Sequence, residues 1–141
     1  MRLAAFIVTA SLLACAPGEE APPPPPAAPT VADFAGTWSA TTVLEGSADT
    51  VKSTLMGSAD GTWTLSLDGR ENIPVTVSMV GDSLVSQSAE YESILRKGVM
   101  VSVRTAAVKM DNMMHGTVTA TYKSPTGDQV MMGTMTATKV P

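Results

Sequence analysis

Gln129-Val130-Met131-Met132-Gly133-Thr134-Met135-Thr136-Ala137-Thr138-Lys139 is the stretch whose reading decides the fold. Successive side chains of a β-strand point to opposite faces. Read that way, Met131, Gly133, Met135 and Ala137 share one face, and Met132, Thr134, Thr136 and Thr138 share the other. One face is apolar and the other is a threonine ladder, a sorting that only a period of two achieves. The same pattern recurs further back. Met114, Gly116, Val118, Ala120 and Tyr122 oppose Thr117, Thr119 and Thr121. Val99, Val101 and Val103 share a face, Ile73, Val75, Val77 and Met79 oppose Thr76 and Ser78, and Trp63, Leu65 and Leu67 oppose Thr62, Thr64 and Ser66.

Turn-forming clusters separate these runs: Glu45 to Asp49, Gly57 to Gly61, Asp68 to Asn72, Gly81-Asp82, Ser93 to Gly98, Asp111-Asn112 and Ser124 to Asp128. Short strands between regularly spaced turn signals predict a hairpin-connected all-β domain. Eight strands are expected, at about 34–44, 50–56, 62–67, 73–80, 83–92, 99–110, 113–123 and 129–140. No segment is left for a βαβ crossover helix, and only Tyr91 to Lys97 reads as a helical turn. A sheet with one wet face must cover its apolar face. The expected fold is therefore an eight-stranded antiparallel up-and-down barrel, with a two-layer β-sandwich as the alternative. An outer-membrane barrel needs an outward apolar band with aromatic girdles. Threonine ladders and 4% aromatic residues argue against one.

The first strand carries Phe34-Ala35-Gly36-Thr37-Trp38, and its Gly-x-Trp resembles the opening motif of lipocalins and related calycins. The closing stretch Gly133 to Lys139 is similar to the end of small lipocalin-like domains in secreted bacterial proteins. That resemblance implies that Trp38 closes one end of the barrel and that a basic residue of the final strand, here Lys139, packs across it.

At the amino terminus, Arg2 precedes an apolar stretch, Leu3 to Leu13, too short to span a bilayer and of the length of a secretory signal. Leu12-Leu13-Ala14-Cys15 resembles the lipobox of bacterial lipoproteins. The resemblance implies cleavage after Ala14, a lipid on Cys15 and attachment to a membrane of the bacterial cell envelope, with Ala16 pointing to the outer membrane. Three acyl chains exceed what stable anchoring needs. Residues 15–30 hold seven of the ten prolines, five of them consecutive at 22 to 26. Such a run favours polyproline II and reads as a stiff tether. The expected organisation is a signal peptide at 1–14, a lipidated Cys with a Pro-rich tether at 15–30, and the barrel domain at 31–141.

Composition narrows the function. The chain has 141 residues, 16% of them charged, a formal net charge of −4, one Cys and one His. No basic run suits nucleic acid, and a lone Cys makes no internal disulfide. No Gly-x-Ser-x-Gly elbow, His-Glu-x-x-His helix or phosphate-binding glycine loop occurs. Glu90 and Glu92 share a face but read as a solvated strand end. An enzyme is not expected, and no cofactor is called for.

Methionine is the compositional oddity, with nine beyond the initiator. Thioethers fill irregular cores and also line adaptable apolar pockets. An eight-stranded barrel is just wide enough for one small molecule. The candidate interior lining is Trp63, Leu65, Val77, Met79, Val101, Val118 and Met135, while Gly116, Gly133, Ala120 and Ala137 leave volume. A small apolar or amphipathic ligand is the main expectation. A filled barrel acting as an envelope protein-interaction module, with an exposed patch at Tyr91 to Val99, is the alternative. A second alternative is Cu(I), for which thioether and imidazole are ligands. Met110, Met113, His115 and Met131 are the candidates, although strand parity lets only a subset converge.

Overall fold

Nine strands form in the computed structural model, which describes residue 18 and residues 20–141. They are β1 (Gly36–Leu44), β2 (Thr50–Gly57), β3 (Trp63–Leu67), β4 (Arg70–Val80), β5 (Ser83–Ser88), β6 (Tyr91–Glu92), β7 (Met100–Met110), β8 (Met113–Tyr122) and β9 (Gln129–Lys139). Residues 20–30 form neither helix nor strand. The signal segment 1–14 and Cys15 lie outside the described residues.

Each strand pairs antiparallel with its chain neighbour from β1 to β5 and from β7 to β9. Two further pairings close the ring: Ser39 lies opposite Thr138 in β1–β9, and Val85 lies opposite Ala106 in β5–β7. The fold is a closed, eight-stranded antiparallel up-and-down barrel with β6 appended along β7, not a sandwich. Its alternation is the one the sequence carries. Trp38, Leu55, Trp63, Val75, Leu84, Val101, Val118 and Met135 are buried, and the threonines of β9 face solvent.

Local chemistry explains where the observed elements depart from the expected ones. The run expected as one strand at 83–92 breaks after Ser88. There the chain leaves the β7 ladder, and the Ser88 hydroxyl accepts the Val103 N–H at 2.9 Å in place of a backbone carbonyl. No helical turn forms at Tyr91 to Lys97. The Ser93 hydroxyl accepts the N–H groups of Leu95 and Arg96, each at 3.1 Å, as a helix N-cap does. But Gly98 at φ 76° turns the chain and the Val99 N–H closes onto the Arg96 carbonyl at 3.1 Å, so no helix propagates. β4 starts three residues earlier than expected because Asp68-Gly69 suffices as the turn. Asn72, at φ 53°, then sits beside a shift in the β3–β4 register, a conformation that its short polar side chain tolerates.

A one-turn 3₁₀ helix (Val31–Phe34) precedes β1 and inserts Phe34, almost fully buried, into one end of the barrel. Thr30 donates from its backbone N–H and its hydroxyl to the Asp33 carboxylate, at 2.7 and 2.9 Å. These bonds hold that carboxyl below its ordinary pKa, the backbone donor contributing most. Lys109 Nζ donates to the Asp33 carbonyl at 2.8 Å and ties the helix to the β7–β8 end.

Gly116 and Gly133 face inward but do not open space. A Cβ on Gly133 would stand 2.2 Å from the Val43 carbonyl oxygen, and one on Gly116 would stand 2.3 Å from that of Ala106. The neighbouring backbones occupy the volume, as expected where strands bend sharply to close a barrel.

Candidate functional site

The two ends of the barrel differ. At one end Phe34, Trp38 and Met114 are buried to 1% exposure or less. The Trp38 indole N–H, which would otherwise be orphaned in an apolar setting, donates to the Phe34 carbonyl at 2.7 Å. Lys139 Nζ stands 5.5 Å from the centre of the Trp38 ring. Its Cε would lie 2.7 Å from a Cβ on Gly36, which also adopts φ 129°. Glycine is therefore required at the first position of Gly-x-Trp for two reasons: the backbone conformation, and the lysine stem laid across it. This end is plugged. Trp63 lies flat on Gly57 near the same end, and its indole N–H is buried without a partner among the described residues.

At the other end the barrel holds a cavity of about 80 Å³. Leu65, Val101, Val118 and Met135 of the expected lining form part of its wall. Trp63, Val77 and Met79 do not; they belong to the packed core toward the plugged end. The cavity also has a belt of hydroxyls that the sequence did not single out: Thr42, Ser53, Ser86, Ser88, Ser93 and Thr105. Three of them are deeply buried, Ser86, Ser88 and Ser93. Ser86 and Thr105 bond each other across β5 and β7, and Ser88 and Ser93 accept backbone N–H groups. The available signal was parity. Ser53 alternates with its neighbours in step with Val51 and Leu55, and Ser86 does so in step with Leu84.

The chain between β6 and β7 folds over the mouth. Tyr91, Ile94 and Leu95 line the cavity. Ile94 is also 38% exposed, so the segment expected as a surface patch keeps part of its apolar surface outside while Tyr91, Leu95 and Val99 pack against the core. Glu92 organises it, accepting the Gly98 N–H at 3.0 Å and pairing with Arg70 at 3.4 Å. Arg96 fastens it to the mouth ends of β8 and β9. Its guanidinium lies 4.2 Å from the centre of the Tyr122 ring, donates to Gln129 Oε1 at 2.5 Å and touches Met131 Sδ at 3.1 Å.

Tyr91 gives this mouth a pH signature. Burial, helped by the nearby Tyr122, pushes its phenol up to about 12. The unfolded chain ionises that phenol near 10, so the stability it protects is intact below pH 10 and is lost as pH rises toward 12. The expected loss is about 2–3 kcal/mol. Urea midpoints measured from pH 9 to 12 should fall more steeply for the native chain than for Tyr91→Phe; equal slopes would refute the assignment.

The four Cu(I) candidates do not gather at one point. Met110, Met113 and His115 are exposed and face outward at the plugged end. Met131 faces inward at the mouth, opposite Ala120, whereas Met113 lies opposite Thr138. Seven residues along β9 separate those two positions, about 23 Å at ~3.3 Å per residue. Among the described residues no three His, Cys, Asp or Glu side chains come together. Arg104 and Glu90 are exposed. Among the described residues no helix is long and apolar enough to cross a membrane. Neither a known protein family nor any curated protein matches the chain.

Proposed function

We propose that this chain is a non-catalytic binding barrel, carried on a lipid at Cys15 in a bacterial envelope, whose ligand is small and apolar or amphipathic. The cavity at the mouth carries this reading. It is lined by aliphatic walls and a belt of hydroxyls, at the end of the barrel away from the plug of Phe34 and Trp38. Pockets for drug-sized ligands run to about 300–1,000 Å³, so a cavity of about 80 Å³ holds only a small group unless the Tyr91 to Gly98 segment swings out. An amphipathic ligand suits that construction. Its apolar part would enter between Leu65, Val118 and Met135, and its polar end would stay at the hydroxyl-rich, Arg96-flanked mouth. The Pro-rich tether would hold the barrel clear of the lipid surface.

Native mass spectrometry of the full chain, extracted from bacterial membranes in detergent, tests both halves of this reading. The expected spectrum carries the mass of acyl chains on Cys15, and added decanoate forms a one-to-one adduct. Ser53→Phe places a ring in the cavity and should abolish the adduct while leaving the lipid mass in place. An adduct that survives in Ser53→Phe, or none in the native chain, would overturn the binding role and favour a filled barrel that contacts other envelope proteins. A chain without acyl mass would overturn the anchor.

A further inference from the structure

We propose that the tip of the β7–β8 hairpin is a Cu(I) site formed by Met110, Met113 and His115. Met110 and Met113 are the closing pair of this hairpin and lie directly opposite each other across the two-residue turn Asp111-Asn112. Opposed residues of an antiparallel pair bring their Cβ atoms to about 4.5–5.5 Å, so two flexible thioethers reach a common point without backbone movement. His115 is two residues further along β8 and shares the outward face with Met113. The register thus places two sulfurs and one imidazole on one patch of surface.

The exposure of the two sulfurs separates this from core filling. Met110 is 64% exposed and Met113 is 40% exposed, so neither thioether is there to complete the interior. The rest of the outward face of β8 is Thr117, Thr119 and Thr121, side chains that suit a solvated strand. Met56, Met100 and Met132 are exposed as well, but their partners across the ladders are threonines or Glu92. It is at this tip that two methionines lie opposite each other beside the chain's one histidine. Thioether and imidazole together select Cu(I) among biological metals, whereas Mg²⁺, Ca²⁺ and Mn²⁺ prefer oxygen ligands. Val80 and Val108 border the tip and are also exposed, so an apolar contact patch is the competing use of the same surface. Leucine preserves apolar area and removes sulfur, which makes Met→Leu the discriminating change. The hairpin tip lies at the plugged end of the barrel, away from the cavity.

The test uses the full chain carrying Cys15→Ser, so that no thiol competes, titrated with Cu(I) against a chromophoric Cu(I) chelator. Parallel Ag(I) titrations are followed by the methionine methyl resonances. One equivalent should bind, and the Met110 and Met113 methyls should shift while that of Met132 stays put. Met110→Leu with Met113→Leu, and separately His115→Ala, should each weaken binding by at least the roughly 10–100-fold that loss of a mere supporting group causes at metal sites. Met132→Leu, which removes a thioether 53% exposed on β9, should bind as before. Equal affinity in the double variant and the parent, or Ag(I) shifts spread evenly over all exposed methionines, would overturn the site. Circular dichroism of each variant confirms that the barrel is intact.

Discussion

Trp38→Ala is expected to lower the stability of the barrel by about 3–5 kcal/mol, the range for deleting a large aromatic side chain from a packed core. Trp38 is fully buried, and three neighbours depend on it. Phe34 is held over the barrel end by its own carbonyl, which accepts the indole N–H. Lys139 lies across the ring and across Gly36. β1 carries Trp38 in register with both Leu55 and Lys139, so the void would open where two ladders meet. Relaxation cannot fill it, because the surrounding strands are closed into a ring. Lys139→Met, by contrast, keeps most of the packing stem and removes only the charge over the ring, worth ~0.5–1 kcal/mol. Urea unfolding followed by the fluorescence of the remaining Trp63 would measure the first change, and circular dichroism would measure the second. A Trp38→Ala loss no larger than that of Lys139→Met would show that the plug is not the keystone that its burial indicates.

How far the sequence could be read depended on side-chain type. Gly133 to Lys139 and Gly116 to Tyr122 state their faces openly, because there threonine takes every second position. The two-faced, hairpin-connected sheet follows from that pattern, which favoured a barrel and left a sandwich open. The β1–β9 and β5–β7 ladders decide for closure, and the Trp38–Lys139 contact is the one that the resemblance of the Gly-x-Trp opening to lipocalins implies. The hydroxyl belt was hidden for the converse reason. A serine such as Ser86 reads as outward by chemistry, and only its parity with Leu84 places it inside, where its bond to Thr105 satisfies it. The mouth was hidden because its form depends on single side-chain acceptors. Ser93 caps the start of a turn, and Gly98, left-handed at φ 76° and held by the Glu92 carboxylate, ends it at once, so an expected helical turn becomes a folded strap. Which residues face a cavity rather than a packed core depends on the taper of the barrel, and hydrophobicity does not encode it. Leu65 and Trp63 lie on the same face of the same short strand, yet one lines the cavity and the other is packed on Gly57.

The inward glycines follow the same distinction between an apparent gap and an occupied one. Gly133→Ala adds one methyl group to a face that the sequence presents as roomy, yet its Cβ would meet the Val43 carbonyl oxygen at 2.2 Å and Leu44 Cα at 2.9 Å. Both obstacles are backbone, so no rotamer change relieves them, and β9 would have to move away from β1 along the seam that closes the barrel. Gly116→Ala meets the same difficulty against Ala106 and Ala107 on β7. Each change should therefore cost at least the ~1–3 kcal/mol of core overpacking, although alanine is ordinarily the better residue than glycine in a strand. Gly98→Ala is the control. It meets no atom within 4 Å, and its φ of 76° costs only the ~1–2 kcal/mol of a left-handed residue outside glycine. Amide hydrogen exchange distinguishes the mechanisms. Gly133→Ala should raise exchange along β1 and β9, Gly116→Ala along β7 and β8, and Gly98→Ala only in the strap over the mouth. Uniform protection across the β1–β9 seam in Gly133→Ala would mean that the ring gives more easily than its backbone contacts imply, and the cavity at the mouth would then widen by the same movement.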